Sequence, residues 1–263
     1  SVALFEGRLW CGGSDQLAGS FSDDFTNFNV DEEGDSAPII RSIATGPVNK
    51  IQAMLDLARL IVFTSGAESV PRSNSFDEPM TVTNFSIKDA STYGSADIQP
   101  VKIDRSGIFV HRSGKNAYDI SYDIQANDYT SSDISRYNPT ILGAGVKVMA
   151  VQRQPDTRVW FVLDDGTGAC LVLEKGEDVI SWIQFEADGL IEDVAVLPNT
   201  AADDVYMIVQ RTINGSTKRF HEKLAYDHQA QGGLTNYMSD CYIVITVAAS
   251  ATVTGLSHLE GES

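Results

Sequence analysis

Four histidines, three cysteines and several paired acids are the side chains of this chain that could ligate a metal or move a proton. His111, His221, His228 and His258 show no HxxxH spacing, and Cys11, Cys170 and Cys241 lie far apart with no CxxC pair, so no zinc site is assigned. The acidic run Asp31-Glu32-Glu33-Gly34-Asp35 lacks the alternating ligands and closing Glu that surround calcium. Asp23-Asp24, Asp164-Asp165 and Asp203-Asp204 read as turn acids, whose carboxylates accept nearby backbone N–H groups. Gly107 with Gly114-Lys115 has the wrong interval for a phosphate loop, and Asn116 stands where a magnesium-binding hydroxyl belongs. No GxSxG elbow occurs, and no pair of acids is placed for glycoside hydrolysis. Trp10, Trp160 and Trp182 fall at strand positions and read as core rather than as a sugar-stacking platform. The residues therefore support no catalytic, cofactor-binding or metal-binding assignment, and the expectation is a protein that is not an enzyme.

What the chain does carry is a repeat. Short apolar runs centred on Trp10, Ile61, Phe109, Trp160 and Tyr206 recur at intervals of 51, 48, 51 and 46 residues. A second series, Ile51, Ile98, Val146 and Val194, is spaced 47, 48 and 48. Strand repeats of this length predict an all-β propeller of about five four-stranded blades, five or six in number, with loop insertions. The expected domain spans 1–235, with blades near 1–48, 49–96, 97–140, 141–189 and 190–235. Residues 236–263 form a β-rich C-terminal segment, in which Tyr242 to Val247 is the candidate closing strand.

The grammar is clearest after residue 140. Val146 to Val151, Val159 to Leu163, Ala169 to Leu173 and Ile180 to Phe185 read as four strands, turned by Asp165-Gly166 and Lys175-Gly176. Ile191 to Leu197, Val205 to Val209 and Lys218 to Leu224 repeat the plan, with an Asn214-Gly215 turn. Lys50 to Leu57, Arg59 to Thr64 and Glu68 to Arg72 belong to the second unit, although Met54 to Leu60 alone could pass for a short helix. Ile98 to Ile103, Gly107 to His111 and Tyr118 to Tyr122 belong to the third, followed by a polar insertion from Asp123 to Pro139. The first unit reads as lacking its innermost strand, with Leu4 to Cys11, Leu17 to Ser20 and Phe25 to Val30 as the others.

A net charge of −17 with scattered acids argues against gripping nucleic acid, which needs a basic stripe. Three widely separated cysteines do not make a disulfide framework and suit a reducing compartment during folding. The longest apolar stretch, Tyr242 to Val253, is shorter than the roughly 20 residues a spanning helix needs, so no membrane insertion by this segment is expected. The chain opens without Met on what already reads as strand, which suggests a piece of a longer polypeptide.

Several strings, in order, resemble the tail tubular protein B, or nozzle, family of short-tailed bacteriophages. Phe5-Glu6-Gly7-Arg8-Leu9-Trp10-Cys11-Gly12-Gly13 is similar to that family's arginine-leucine strand followed by small residues. Gly19-Ser20-Phe21-Ser22-Asp23-Asp24-Phe25-Thr26-Asn27-Phe28 is similar to its Gly-Ser to Asn-Phe segment, and Leu60 to Glu68 to its second-blade strand. Tyr122, Asp128-Tyr129 and Asp133-Ile134 match the spacing of its long loop. Ser181-Trp182, Asp204-Val205-Tyr206 and Val209-Gln210-Arg211 follow in order, and Gly255 to Gly261 is similar to the opening of its next domain. The resemblance implies a structural virion protein whose copies, six in that family, associate into a ring at the tail tip. It also implies contact with a tail adaptor protein, DNA that passes through without specific binding, residence in the virion tail, and assembly in the host cytoplasm. It carries over no catalytic residue and no cofactor. The rival reading is a carbohydrate-binding or carbohydrate-cleaving propeller acting on host-surface glycan, which needs acids and aromatics gathered at one mouth. A peptide-binding scaffold of cellular origin is a third.

Overall fold

The computed structural model describes residues 1–43, 50–75 and 78–225. Among them the chain forms five antiparallel sheets, each laid down in chain order. The first holds β1 (Val2–Phe5), β2 (Arg8–Gly13), β3 (Gln16–Gly19) and β4 (Ile39–Ser42). The second holds β5 (Ile51–Asp56), β6 (Leu60–Thr64), β7 (Glu68–Arg72) and β8 (Ser86–Ser91). The third holds β9 (Val101–Ile103), β10 (Ser106–Val110), β11 (Ala117–Asp123) and β12 (Asp128–Asp133). The fourth holds β13 (Val146–Gln152), β14 (Arg158–Leu163), β15 (Gly168–Glu174) and β16 (Val179–Phe185). The fifth holds β17 (Leu190–Leu197), β18 (Asp204–Ile213) and β19 (Ser216–Lys223). This is the all-β, propeller-type fold that the repeat predicts.

The two periodic series correspond to particular strands. Trp10, Ile61, Phe109, Trp160 and Tyr206 all lie on the second strand of their sheets, and Ile51, Val146 and Val194 on the first. Ile98 precedes β9 rather than joining it.

Each pair of consecutive sheets shares one apolar core, because the faces of a strand point alternately to either side. Leu60 and Val62 of β6 pack with Trp10, Leu17 and Ile39 of the first sheet. Ile61 and Phe63, pointing the other way, pack with Phe109, Ile120 and Tyr129 of the third. On β14, Val159, Phe161 and Leu163 meet Ile108 and Val110, while Trp160 and Val162 meet Val194, Val205, Met207 and Val209. A second strand covered on both sides must be apolar throughout, which is why Leu60–Thr64 and Arg158–Leu163 show almost no alternation. Each fully buried side chain of this size contributes about 1.5–3 kcal/mol, so these strands hold the stack together.

The sheets are also tied by backbone. The N–H of Ile51 donates to Ser14 O at 2.7 Å, Ser95 to Thr64 O at 2.8 Å, Val146 to Gly114 O at 2.7 Å and Ile191 to Gly166 O at 2.8 Å. In every case the donor stands at or ahead of a sheet's first strand, and the acceptor at or just beyond the C-terminal end of the previous sheet's second strand. A register shift follows at the same place in three of these strands, between Ile51 and Ala53, Val146 and Val148, and Ile191 and Asp193. Such bulges raise the local twist, which lets the next sheet fan away from the last.

Several boundaries differ from the sequence reading. The first sheet does not lack its first strand: Leu4 to Cys11 is a hairpin, not one strand. Glu6 and Gly7 turn it with φ of 48° and 67°. Phe25 to Val30 is not a strand; β4 lies further on, because Arg8 holds the intervening chain as an ordered loop. The polar insertion from Asp123 to Pro139 contains β12, whose largely polar residues hide it from a hydrophobicity search. Met54 to Leu60 is a strand and a bend, since tertiary packing overrides its helical composition. β8 carries Ser, Lys and Asp and was not foreseen. The candidate closing strand, Tyr242 to Val247, lies outside the described residues.

Arg8 is 2% exposed. Its Nη1 donates to the carbonyl oxygens of Ser20, Ala37 and Ser36 at 2.6, 2.8 and 3.2 Å, and Nη2 to Asp35 O at 2.9 Å. Burial pushes its pKa down and Glu6 opposes this, but a guanidinium stays charged. Arg8→Ala is expected to lower stability by about 3 kcal/mol or more, because it strands buried carbonyls and leaves a cavity. Arg8→Lys should recover little of this, lacking the planar fork. Urea unfolding checks both. Gly94 links the second and third sheets with φ of +79°, and a Cβ there would stand 2.4 Å from Ser65 O. Gly94→Ala is therefore expected to cost about 2–4 kcal/mol. Gly13→Ala, where a Cβ meets nothing within 4 Å, should stay within about 1 kcal/mol.

Candidate functional site

Three places in the described residues carry more than packing. The first is the pair of terminal sheet faces. Val2, Cys11, Ala18 and Ile40 form one cross-strand row of the first sheet, with Leu4 opposite Leu9 beside it. This row points away from the second sheet, and Val2 and Leu4 are 62% and 60% exposed. On the fifth sheet Ala195, Tyr206 and Lys223 form a row, with Asp193, Ile208 and His221 beside it. The Tyr206 and His221 rings stack with centroids 5.0 Å apart, and a shallow cleft of about 70 Å³ opens over this face. Leu190 and Leu197 are 51% and 56% exposed. Among the described residues, the first and fifth sheets do not pack against each other as neighbouring sheets do.

The second place is a carboxyl sealed between sheets. Glu68, on β7, has no exposed surface. Its Oε2 accepts from the Ser91 hydroxyl, which lies 2.9 Å from Ser131 Oγ on β12, so a polar chain crosses from the second sheet to the third. Oε1 has no hydrogen bond of good geometry, although the backbone groups of Tyr93 and Gly94 lie near enough to weigh on its titration. Burial dominates and raises the pKa from 4.5 to about 7; the Ser91 hydroxyl and those backbone groups oppose it. Tyr118 beside it is raised by burial first, then by Asp133, Tyr93 and Glu68. A carboxyl poised near neutrality is the type of group that moves protons in catalysis. With no exposed atom, this one touches nothing outside the protein unless the sheets part. Its chemistry is that of a proton-linked clasp.

The third place is a polar cleft of about 260 Å³ with three cations in its wall, Arg59, Arg72 and Lys88. Arg59 stands in the turn between β5 and β6, Arg72 at the end of β7, and Lys88 on β8. Ser73, Asn74, Ser86 and Asn127 complete the lining, and no carboxylate is part of it. Arg72 Nη1 lies 3.1 Å from Asp128 Oδ2, which holds the guanidinium from the side of the third sheet. The three cations are 13 to 29 positions apart in sequence, so no local basic run announced them.

The residues weighed in the sequence are dispersed. Trp10 and Trp160 are buried in cores, and Trp182 donates its Nε1–H to Ile134 O at 3.0 Å across two sheets. Asp24 and Asp165 do cap turns, accepting from Thr26 and Thr167. Asp203 instead ties the fifth sheet to the fourth, accepting the N–H groups of Arg153 and Gln154. His111 and His221 sit in separate sheets, and His228, His258 and Cys241 lie outside the described residues. Neither Cys11 nor Cys170 is in a disulfide. Among the described residues no cluster of His, Cys, Asp and Glu could hold a metal ion, and no helix is long and apolar enough to cross a membrane.

No family model and no curated protein matches this chain. Among solved structures, a luciferin-regenerating enzyme is 11% identical over 84% of this chain and 74% of its own, with a TM-score of 0.40. A protein described as exported, from Bacteroides fragilis, is 9% identical over 81% of this chain and 66% of its own, with a TM-score of 0.37. Neither likeness bears on what this chain does.

The clasp at Glu68 generates a pH dependence with a definite sign. The folded state holds the proton more tightly than the unfolded state, so this group's stabilisation is complete below pH 4.5 and is lost as pH rises to about 7. The loss is roughly 3 kcal/mol for a shift of this size. Glu68→Gln is expected to remove that part of the decline when unfolding is followed from pH 4.5 to 7.5. An unchanged slope would rule out the clasp.

Proposed function

We propose that this chain is a structural component of a short-tailed bacteriophage tail, associating with copies of itself into a ring through which DNA leaves the particle. The observation that carries this reading is the pair of sheet faces at the two ends of the stack on which, among the described residues, no neighbouring sheet packs. Each is the reverse side of a sheet whose other face lies in a core, and each exposes large apolar side chains. Faces of this kind mark contact surfaces. Two different faces on one subunit suit a head-to-tail contact, which is the kind that closes a ring of more than two copies.

The ordered strings that resemble the nozzle family, from Phe5 to Gly261, support the same reading. So does the net charge of −17. Acids facing a channel repel phosphate and keep DNA from sticking, over a reach of about 8 Å in physiological salt. In this role the body is a passive wall, and the tail adaptor protein above it is its neighbour in the particle. Antibody raised against this chain is expected to label the tail tip of intact particles in electron micrographs. Label confined to the capsid, or none, would reject the assignment.

A further inference from the structure

We infer that the cleft walled by Arg59, Arg72 and Lys88 is a binding site for an acidic sugar, a ligand carrying one carboxylate and several hydroxyls. This goes beyond the tail assignment and does not rest on it. In a chain with 36 acids and 19 Lys and Arg, a cleft lined by three cations and no carboxylate is against the composition. Asp128 already pairs with Arg72 from beside the wall, and Lys88 brings a further positive charge that an anion in the cleft would meet.

The geometry is suited to a carboxylate. Arg72 is fixed in place, with Nη1 engaged by Asp128 and its backbone carbonyl accepting from Ser86 Oγ at 3.3 Å. A guanidinium has five N–H donors, so one ion pair leaves others to meet a second anion. Lys88 is exposed and makes no ion pair among the described residues. The turns that carry the remaining groups are also fixed. The Arg59 N–H donates to Tyr129 Oη at 3.3 Å, and Asn127 Oδ1 accepts from Tyr122 Oη at 2.6 Å with the Asn127 backbone at φ 52°.

The neutral part of the wall separates a sugar acid from other anions. Asn74 offers an amide that both donates and accepts, and the Ser86 hydroxyl, whose proton goes to the Arg72 carbonyl, is left to accept. A bare oxyanion takes donors only and would leave the acceptors unanswered, whereas sugar hydroxyls answer both. About 260 Å³ is below the size of drug-like pockets and is of the order of one hexose ring. A nucleic-acid strand would need a longer basic track with aromatic platforms, and no aromatic ring lines this cleft.

Titration calorimetry of the full chain with sodium glucuronate, glucose, inorganic phosphate and a single-stranded oligonucleotide tests this. Saturable glucuronate binding near 1 mM is expected, with phosphate at least about tenfold weaker and glucose silent. Lys88→Glu and Lys88→Gln, on an exposed side chain, are expected to weaken glucuronate binding by about tenfold with the unfolding midpoint kept. The inference is overturned by absence of saturable glucuronate binding, by phosphate binding as tightly as glucuronate, or by tighter oligonucleotide binding that is lost on Lys88→Glu. Binding undiminished in both folded Lys88 variants overturns it as well. None of these outcomes touches the tail assignment, which the particle labelling decides separately.

Discussion

The structure depends on one repeated constraint. The chain enters each new sheet through a backbone amide held by a carbonyl near the end of the preceding sheet's second strand, four times at 2.7–2.8 Å. This bond fixes where each sheet begins relative to the one before. The bulge that follows it on β5, β13 and β17 fixes how far the new sheet twists away. Once entry point and twist are set, the middle strands fall opposite one another and their apolar faces have little freedom in what they meet. The four cores between neighbouring sheets are consequences of that placement.

Polar contacts also tie neighbouring sheets to one another. Glu68, Ser91 and Ser131 join the second and third sheets through their later strands. Lys175 joins the fourth to the third by reaching Asp119 Oδ1 at 2.7 Å and Ser106 Oγ at 2.6 Å. In a low-dielectric setting such pairs fix geometry more than they add net stability. Glu68 departs from the pattern, since one of its oxygens is left without a good hydrogen bond and its proton therefore becomes part of the packing.

A stack of sheets has two ends, and the ends differ from the interior in a way that connects fold to function. The interior sheets are apolar on both sides. The first and fifth are apolar on their inner sides and half-covered on the other, with Val2 and Leu4 at one end and Leu190 and Leu197 at the other. The proposed ring would cover these faces. The cation-lined cleft lies between the second and third sheets, apart from both ends.

The amino-acid sequence alone determined the repeat and the second strands. Runs such as Leu60–Thr64 and Val159 to Leu163 must be buried on both faces, and Asn214-Gly215, with φ of 51° and 77°, must turn. It also determined that Trp10 and Trp160 are core residues. It did not reveal β8 or β12, because outer strands are held by backbone pairing to one neighbour and tolerate Ser, Lys and Asp, which leave no periodic signal. Nor did it reveal the loop gathered by Arg8, the clasp at Glu68 or the cleft at Arg59, Arg72 and Lys88. Each of these joins groups from different strands, at distances set by sheet stacking. Local pattern records which face of a strand is dry; only the tertiary structure decides which polar groups meet across the gaps between sheets.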